Sequence, residues 1–354
     1  MADRKIFWRQ MSNSLKIGIL DCTKTIYNEE TSEKIPLGGI ERCIVSLSRA
    51  LHNKKCDVRV FSNVKEPYTF KNITWYPEHL PTDFKSDITI ACNDSKLLNQ
   101  YAFNSKHTQF KPYLWHHNPV GLWKTIRKGR LFPIVKWNPV HILLGAYHTT
   151  TCPIFLPHQK NIIIEHGIED SILADSYNDT LRPPHVAFIS QAYRGLEDII
   201  RIWKHYVFPQ NNLAKLFVYS DFQCDDKDAL SKFGILIVGR LPRHELINHL
   251  KEKRLVVIPG HKDETFCLSA LESLCLGIPV ITFGFGSLKE RVQNDFNGFI
   301  VNDDKEFAQK IDILLKDNTI WQEMSKNALL SRNNASWAEK ADIWLSHFES
   351  QKHE

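Results

Sequence analysis

Short runs of β-branched and aliphatic residues recur along this chain, each followed by a stretch whose apolar residues return every three or four positions. That alternation restricts the chain to α/β folds. In the first half, "LKIGIL" (15–20) is followed by a helix from about Gly39, in which Ile40, Cys43, Ile44, Leu47, Ala50 and Leu51 form one apolar stripe, and then by "CDVRVF" (56–61). This is a βαβ opening, and further strands are expected at "DITIA" (87–91), "PYLWHH" (112–117), "HILLGA" (141–146) and "NIIIE" (161–165). Continuous rather than alternating apolar runs favour a parallel sheet covered on both faces.

After the polar, proline-bearing "SYNDTLRPPH" (176–185) the pattern restarts with "VAFIS", a helix from Leu196, "AKLFVYS", "GILIVG", a helix from Arg243 and "RLVVIP". A chain of 354 residues exceeds the usual span of one core. The expectation is therefore two Rossmann-like, doubly wound domains, 1–180 and 181–335, joined near 176–184 and facing a central cleft. Amphipathic helices close the chain around 319–330 and 336–350, and the final segment, 336–354, is placed to cross back to the first domain.

Lys and Arg number 45 against 40 Asp and Glu, so the net charge of +5 argues mildly for a phosphate or lipid-surface partner and does not point to nucleic acid. The eight cysteines stand singly, without a C-x-x-C pair, and read as reduced core residues. The amino terminus lacks a long apolar region and no apolar run approaches 18 residues, so a cytoplasmic protein without a membrane span is expected. In that compartment the sequons at Asn72 and Asn178 carry no glycosylation meaning.

The stretch "HKDETFCLSALESLCLGIPVIT" (261–282) reads as a polar loop, a helix ended by Gly277 and a strand. Glu264 precedes the helix, and Glu272 lies six residues beyond Phe266, roughly 9 Å along the axis. Between them the first helical turn offers free N–H groups and the positive end of the dipole, which suit a phosphate. Carboxylates at both ends of such a site accept hydrogen bonds from sugar hydroxyls, the layout of a nucleotide sugar. The alternative is a dipole-capping Glu264 and a solvated Glu272.

Pro259, "ETF" (264–266), "ALESLCLGIPVIT" (270–282) and "NGFIV" (297–301) together resemble the donor-site signature of glycosyltransferase family 4. Cys267 stands where that family often has Gly, and Ser273 where Ala is common. The resemblance implies the GT-B fold and retaining, metal-independent transfer of a sugar from a nucleotide-diphosphate donor, with no cofactor. It assigns Glu264 to the donor sugar, Glu272 to the ribose, and the amides at Phe266, Cys267 and Leu268 to the diphosphate. "PLGGIERCIVSLSRAL" (36–51) resembles the family's first glycine loop, where the amides at Gly38 and Gly39 can approach a donor phosphate or an acceptor, and the two are assigned to donor binding; alone, the pair is also an ordinary turn.

The cation-bearing segment at the start of the second domain matches "AFISQAYRGLEDIIRIW" (187–203). Arg194 stands at the family's Lys, with Ser190 and Gln191 where its Arg falls. "VGRLP" (238–242) has the right letters in the wrong place, which makes Arg240 a decoy. In "LWHHNPVG" (114–121) the match assigns His117 to the transferred sugar, with His116 on the opposite side of the strand; a purely structural histidine is the alternative. No acidic residue or third histidine is spaced to complete a metal site there. "NIIIEHGIED" (161–170) resembles the family's Pro-Asn-Gly-Ile-Asp turn, a domain-edge element.

"GLWKTIRKGRLFPIVKW" (121–137) mixes Lys124, Arg127, Lys128, Arg130 and Lys136 with Trp123, Phe132 and Trp137. It suits docking on an anionic membrane surface, or equally a solvated basic loop. The expected acceptor is a hydroxyl of a glycan or lipid-linked glycan, as in lipopolysaccharide, capsule or similar polysaccharide synthesis. Two rival readings are a non-catalytic nucleotide-sugar-binding subunit and a sugar-nucleotide epimerase or phosphorylase of similar architecture.

Overall fold

The apolar runs of the first half form one sheet in the order β3-β4-β2-β1-β5-β6-β7-β8, and those of the second half a six-stranded sheet in the order β11-β10-β9-β12-β13-β14. The computed structural model describes residues 14–153, 161–174, 180–223 and 227–350. Cys224 and residues 176–179 of the expected linker lie outside them. The first sheet comprises β1 (Lys16–Leu20), β2 (Asp57–Ser62), β3 (Tyr68–Phe70), β4 (Ile73–Pro77), β5 (Ile88–Cys92), β6 (Lys111–Trp115), β7 (Val140–Leu143) and β8 (Asn161–Ile163). The second comprises β9 (His185–Phe188), β10 (Lys215–Val218), β11 (Ile235–Ile237), β12 (Leu255–Val257), β13 (Val280–Thr282) and β14 (Gly298–Ile300).

All neighbouring strands run parallel except β3 and β4, whose connection passes through Lys71 and Asn72 at φ 48° and 65°. This hairpin has no continuous apolar run, so periodicity gave no sign of it. The β1 strand lies between β2 and β5, and β9 between β10 and β12. Strand order therefore reverses at β1/β5 and at β9/β12. Such switch points open a crevice beyond the carboxyl ends of the strands, and the GT-B fold sets two of them face to face.

The Gly39–Asn53 helix covers the first sheet with Cys43, Ile44, Leu47 and Leu51 buried, because their spacing places them on one stripe. The last helix, Trp337–Ser350, also packs on that sheet: Phe348 lies 5.0 Å from the Tyr113 ring and Trp344 5.6 Å from Trp115. Each such buried aromatic contributes on the order of 1.5–3 kcal/mol. The chain enters this helix beside Gly167, where an added Cβ would come within 2.7 Å of Trp337 backbone and ring atoms. Gly167→Ala is expected to destabilise the protein by about 1–3 kcal/mol, read as a lower urea midpoint at unchanged slope.

Among the described residues no helix is long and apolar enough to cross a membrane. The reading of the cysteines as core residues holds for Cys43, Cys56, Cys92, Cys267 and Cys275, but Cys22 is exposed and Cys152 half-buried. Both lie in loop or turn segments beyond strand or helix ends, where their apolar neighbours in sequence are not their neighbours in space.

Candidate active site

The crevice is closed by contacts from loops at the carboxyl ends of both sheets. Thr265 Oγ donates to the His117 carbonyl at 2.7 Å, and Tyr147 Oη to the Lys262 carbonyl at 2.5 Å. Gly39 faces the second domain, with its Cβ direction ending 3.4 Å from Leu268 Cδ1. The space above Gly38 is taken by the Glu41 carboxylate of its own helix. The glycine loop and the amino end of the Leu268–Cys275 helix thus come together.

Glu264 is 6% exposed and pairs with Arg194, which follows β9 in a single 3-10 turn, Ala192–Arg194. The turn ends at Gly195, whose φ of 101° and 2.6 Å approach to Pro259 Cβ admit no side chain. That contact seats the Arg194 turn against the loop carrying Glu264. Ser287 N–H also donates to the Glu264 carbonyl at 2.9 Å. Phe266 is buried, its ring 4.9 Å from His166 and under the Arg291 guanidinium. Cys267 opens the helix in the left-handed region at φ 58°, ψ 72°. The glycine-type backbone is therefore kept although the residue is not glycine. The first-turn amides of this helix have no intrahelical partner, which leaves them free for an anion.

Glu272 is 5% exposed and is not a surface charge. Its Oε1 accepts from Arg42 Nη1 at 2.8 Å and lies 2.7 Å from Arg243 Nη2 in an ion pair, and its Oε2 accepts from Arg243 Nη1 at 3.0 Å. Burial pushes its pKa up, but the two guanidiniums outweigh it and hold the carboxyl below its usual range. Arg243 also pairs with Glu169 at 3.1 Å. Arg42 comes from the Gly39–Asn53 helix, so this pair ties the two domains.

His117 and His116 face different neighbours. His116 Nε2 hydrogen-bonds His141 Nδ1 at 2.8 Å, while the His117 ring stacks on His166 with centroids 5.0 Å apart. Burial holds His117 neutral, with a pKa pushed down to about 3. His117 Nε2 and His166 Nδ1 are buried without hydrogen-bond partners. Cys43, His117 and His166 bring one ligand atom each within 4.8 Å of one another, a grouping that spacing along the sequence could not reveal. Two neutral imidazoles and a thiol would suit zinc rather than magnesium.

Arg240 follows β11 and does not pair with Glu264; it bonds Asp221 at 3.4 Å and the Pro36 carbonyl, in the glycine-loop segment, at 3.1 Å. Three residues now in the site were not expected there from the sequence: Arg42, Arg243 and His166. Arg42 sat inside the glycine-loop match and His166 inside the turn taken as a domain edge. In the basic segment, Trp123 and Phe132 are 82% and 69% exposed, whereas Trp137 turns inward and stacks on Phe110 at 4.9 Å.

A family model described as glycosyl transferases group 1 matches residues 222–330. A D-inositol 3-phosphate glycosyltransferase of Catenulispora acidiphila is 30% identical over 190 residues, covering 47% of this chain and 45% of the relative. One from Thermobispora bispora is 31% identical over 120 residues, 32% of this chain and 28% of the relative. The chain thus matches less than half the length of either. Sucrose-phosphate synthase of Thermosynechococcus elongatus shares the fold with a TM-score of 0.73 at 14% identity, over 96% of this chain and 99% of that one. Anabaena HepE in complex with UDP-glucose does so with a TM-score of 0.69 at 15% identity, over 95% and 100%.

Proposed function

We propose, from the premise that this chain belongs with the group 1 glycosyl transferases on a GT-B fold, that it is a retaining, metal-independent transferase. It moves a hexose-type sugar from a nucleotide diphosphate to a hydroxyl of a glycan or lipid-linked glycan, of the lipopolysaccharide or surface-polysaccharide kind. The observation that carries this reading is the pairing of two buried carboxylates, Glu264 and Glu272, with arginines at either end of one helix start. HepE is described with UDP-glucose, which favours a uridine donor.

In this reading Glu264 holds hydroxyls of the donor sugar, and Arg194 with the amides at Phe266, Cys267 and Leu268 stabilises the departing diphosphate. The neutral imidazole of His117 can donate to or accept from a sugar hydroxyl. The acceptor oxygen bonds to the anomeric carbon as the bond to diphosphate breaks on the same face, and the acceptor proton passes to a leaving phosphate oxygen. Glu272 retains one lone pair on Oε2 for a ribose hydroxyl while both arginines remain bound. The exposed Trp123 and Phe132, set among lysines and arginines, support peripheral docking on the cytoplasmic face of an anionic membrane.

A panel of UDP-, GDP-, ADP- and CMP-sugars tests this by thermal stabilisation, since a ligand of the folded state raises the melting temperature by mass action. One nucleotide series is expected to stabilise, and nucleotide release with an acceptor glycan should follow. Stabilisation without release would favour the donor-binding subunit. EDTA is expected to leave the rate within about twofold; loss restored by zinc but not magnesium would assign a metal to Cys43, His117 and His166.

A further inference from the structure

Beside the crevice, a cavity of about 90 Å3 opens among Asn93, Ser95, His116, Lys124, Lys128 and Arg130. A single water needs roughly 10–15 Å3 in the same measure, so the cavity has room for a much larger group. Three of those six side chains are cationic. Among the described residues neither Lys124 nor Lys128 forms an ion pair, and Asp94 pairs with Arg130 at 2.9 Å. Arg130 keeps a buried Nε–H with no acceptor. His116 is held neutral by burial and adds no charge. Burial, then Lys128 and Arg130, push the Lys124 pKa down, with Asp263 opposing, as expected where positive charge is uncompensated.

The position of the cavity matters as much as its charge. His116 and Asn118, which line it, flank His117, whose carbonyl is held by Thr265 next to Glu264. Because the transferase reading puts the sugar at His117 and Glu264, a group seated there would adjoin the sugar rather than the diphosphate. Lys124 and Lys128 fall four apart on and just beyond the Leu122–Arg127 helix, so one face presents both. Arg130 returns from the other side through its bond to Asp94.

We infer that this cavity is a phosphate-type oxyanion site, which seats an anionic group of the acceptor beside the transferred sugar. The acceptor role rests on the transferase reading above; the anion site does not. It gives Lys124, Lys128 and Arg130 a task distinct from the exposed Trp123 and Phe132, which need no cavity.

The test titrates inorganic phosphate and glycerol 3-phosphate into the full chain, with and without saturating UDP, against chloride at matched ionic strength. UDP fills the diphosphate position, so the response that remains reports the cavity. Saturable stabilisation is expected in wild type, and Lys124→Ala/Lys128→Ala should weaken it about tenfold or more, the scale of lost charge-assisted hydrogen bonds. Both lysines are exposed, and the UDP response serves as the folding control. Vesicles of phosphatidylglycerol and phosphatidylcholine separate the sources of the anion. Selective phosphatidylglycerol binding that glycerol 3-phosphate competes away assigns a lipid headgroup; response to the soluble esters alone assigns a water-soluble one. An unchanged response in the double variant, or vesicle binding without response to either soluble phosphate, overturns the site. A chain that ignores all four nucleotide series but binds phosphate through these lysines overturns the transferase reading alone.

Discussion

Glu264→Gln is expected to lower kcat by about 10²- to 10³-fold, the scale of removing one preorganised group aimed at developing charge. Glutamine keeps the volume of this buried side chain and a hydrogen-bonding end toward Arg194, so the melting temperature should stay close to wild type. Bare UDP should bind nearly as well, because it has no sugar for Glu264 to hold. Arg194 tests the other half of the pair. Arg194→Ala would leave Glu264 buried without its partner, mixing a catalytic with a structural loss. Arg194→Lys keeps the charge and is expected to lose only about tenfold, since a lysine offers no fork to the carboxylate or phosphate. Nucleotide release under saturating donor and acceptor measures all three. A Glu264→Gln rate near wild type would sink the assignment.

Which parts of this site were legible follows from how far each interaction reaches along the chain. Glu264, the helix start and Glu272 lie in one continuous stretch, so spacing and resemblance brought them out together. Cys267 stands where the resembled family often has Gly, and its φ of 58° shows that the turn takes the glycine conformation and that cysteine accepts it. Residues whose partner comes from the other domain were not legible. Arg42 and Glu272 are 230 positions apart, and no local pattern announces that a helix residue beside a glycine loop will neutralise a carboxylate on a helix of the other domain. His166 escaped for the same reason, and so did the division of the basic segment into a cavity wall and an exposed aromatic face. The βαβ runs reported themselves because burial on two faces demands continuous apolar sequence. The β3–β4 hairpin, with β3 at the edge of the first sheet and no such run, did not.

The largest stability effect is expected at Glu272. Glu272→Ala leaves the guanidiniums of Arg42 and Arg243 facing each other in a buried site, 20% and 12% exposed, and among the described residues Arg243 then keeps only Glu169 as an ion-pair partner. Breaking a buried ionic cluster by removing its shared partner costs about 3–5 kcal/mol. Arg42→Ala should cost less, on the order of 1.5–3 kcal/mol, because Glu272 retains its hydrogen bond and its ion pair with Arg243. The acid limb separates this from simple loss of packing. Glu272 has a folded-state pKa below its unfolded one, so its contribution is present above the ordinary carboxylate range and is lost as pH falls through the folded value. Urea unfolding at pH 7 and near pH 3.5 should therefore show Glu272→Gln strongly destabilised at the first and closer to wild type at the second. An equal deficit at both would mean that the side chain stabilises by shape alone, and the ionic tie between the domains would be excluded.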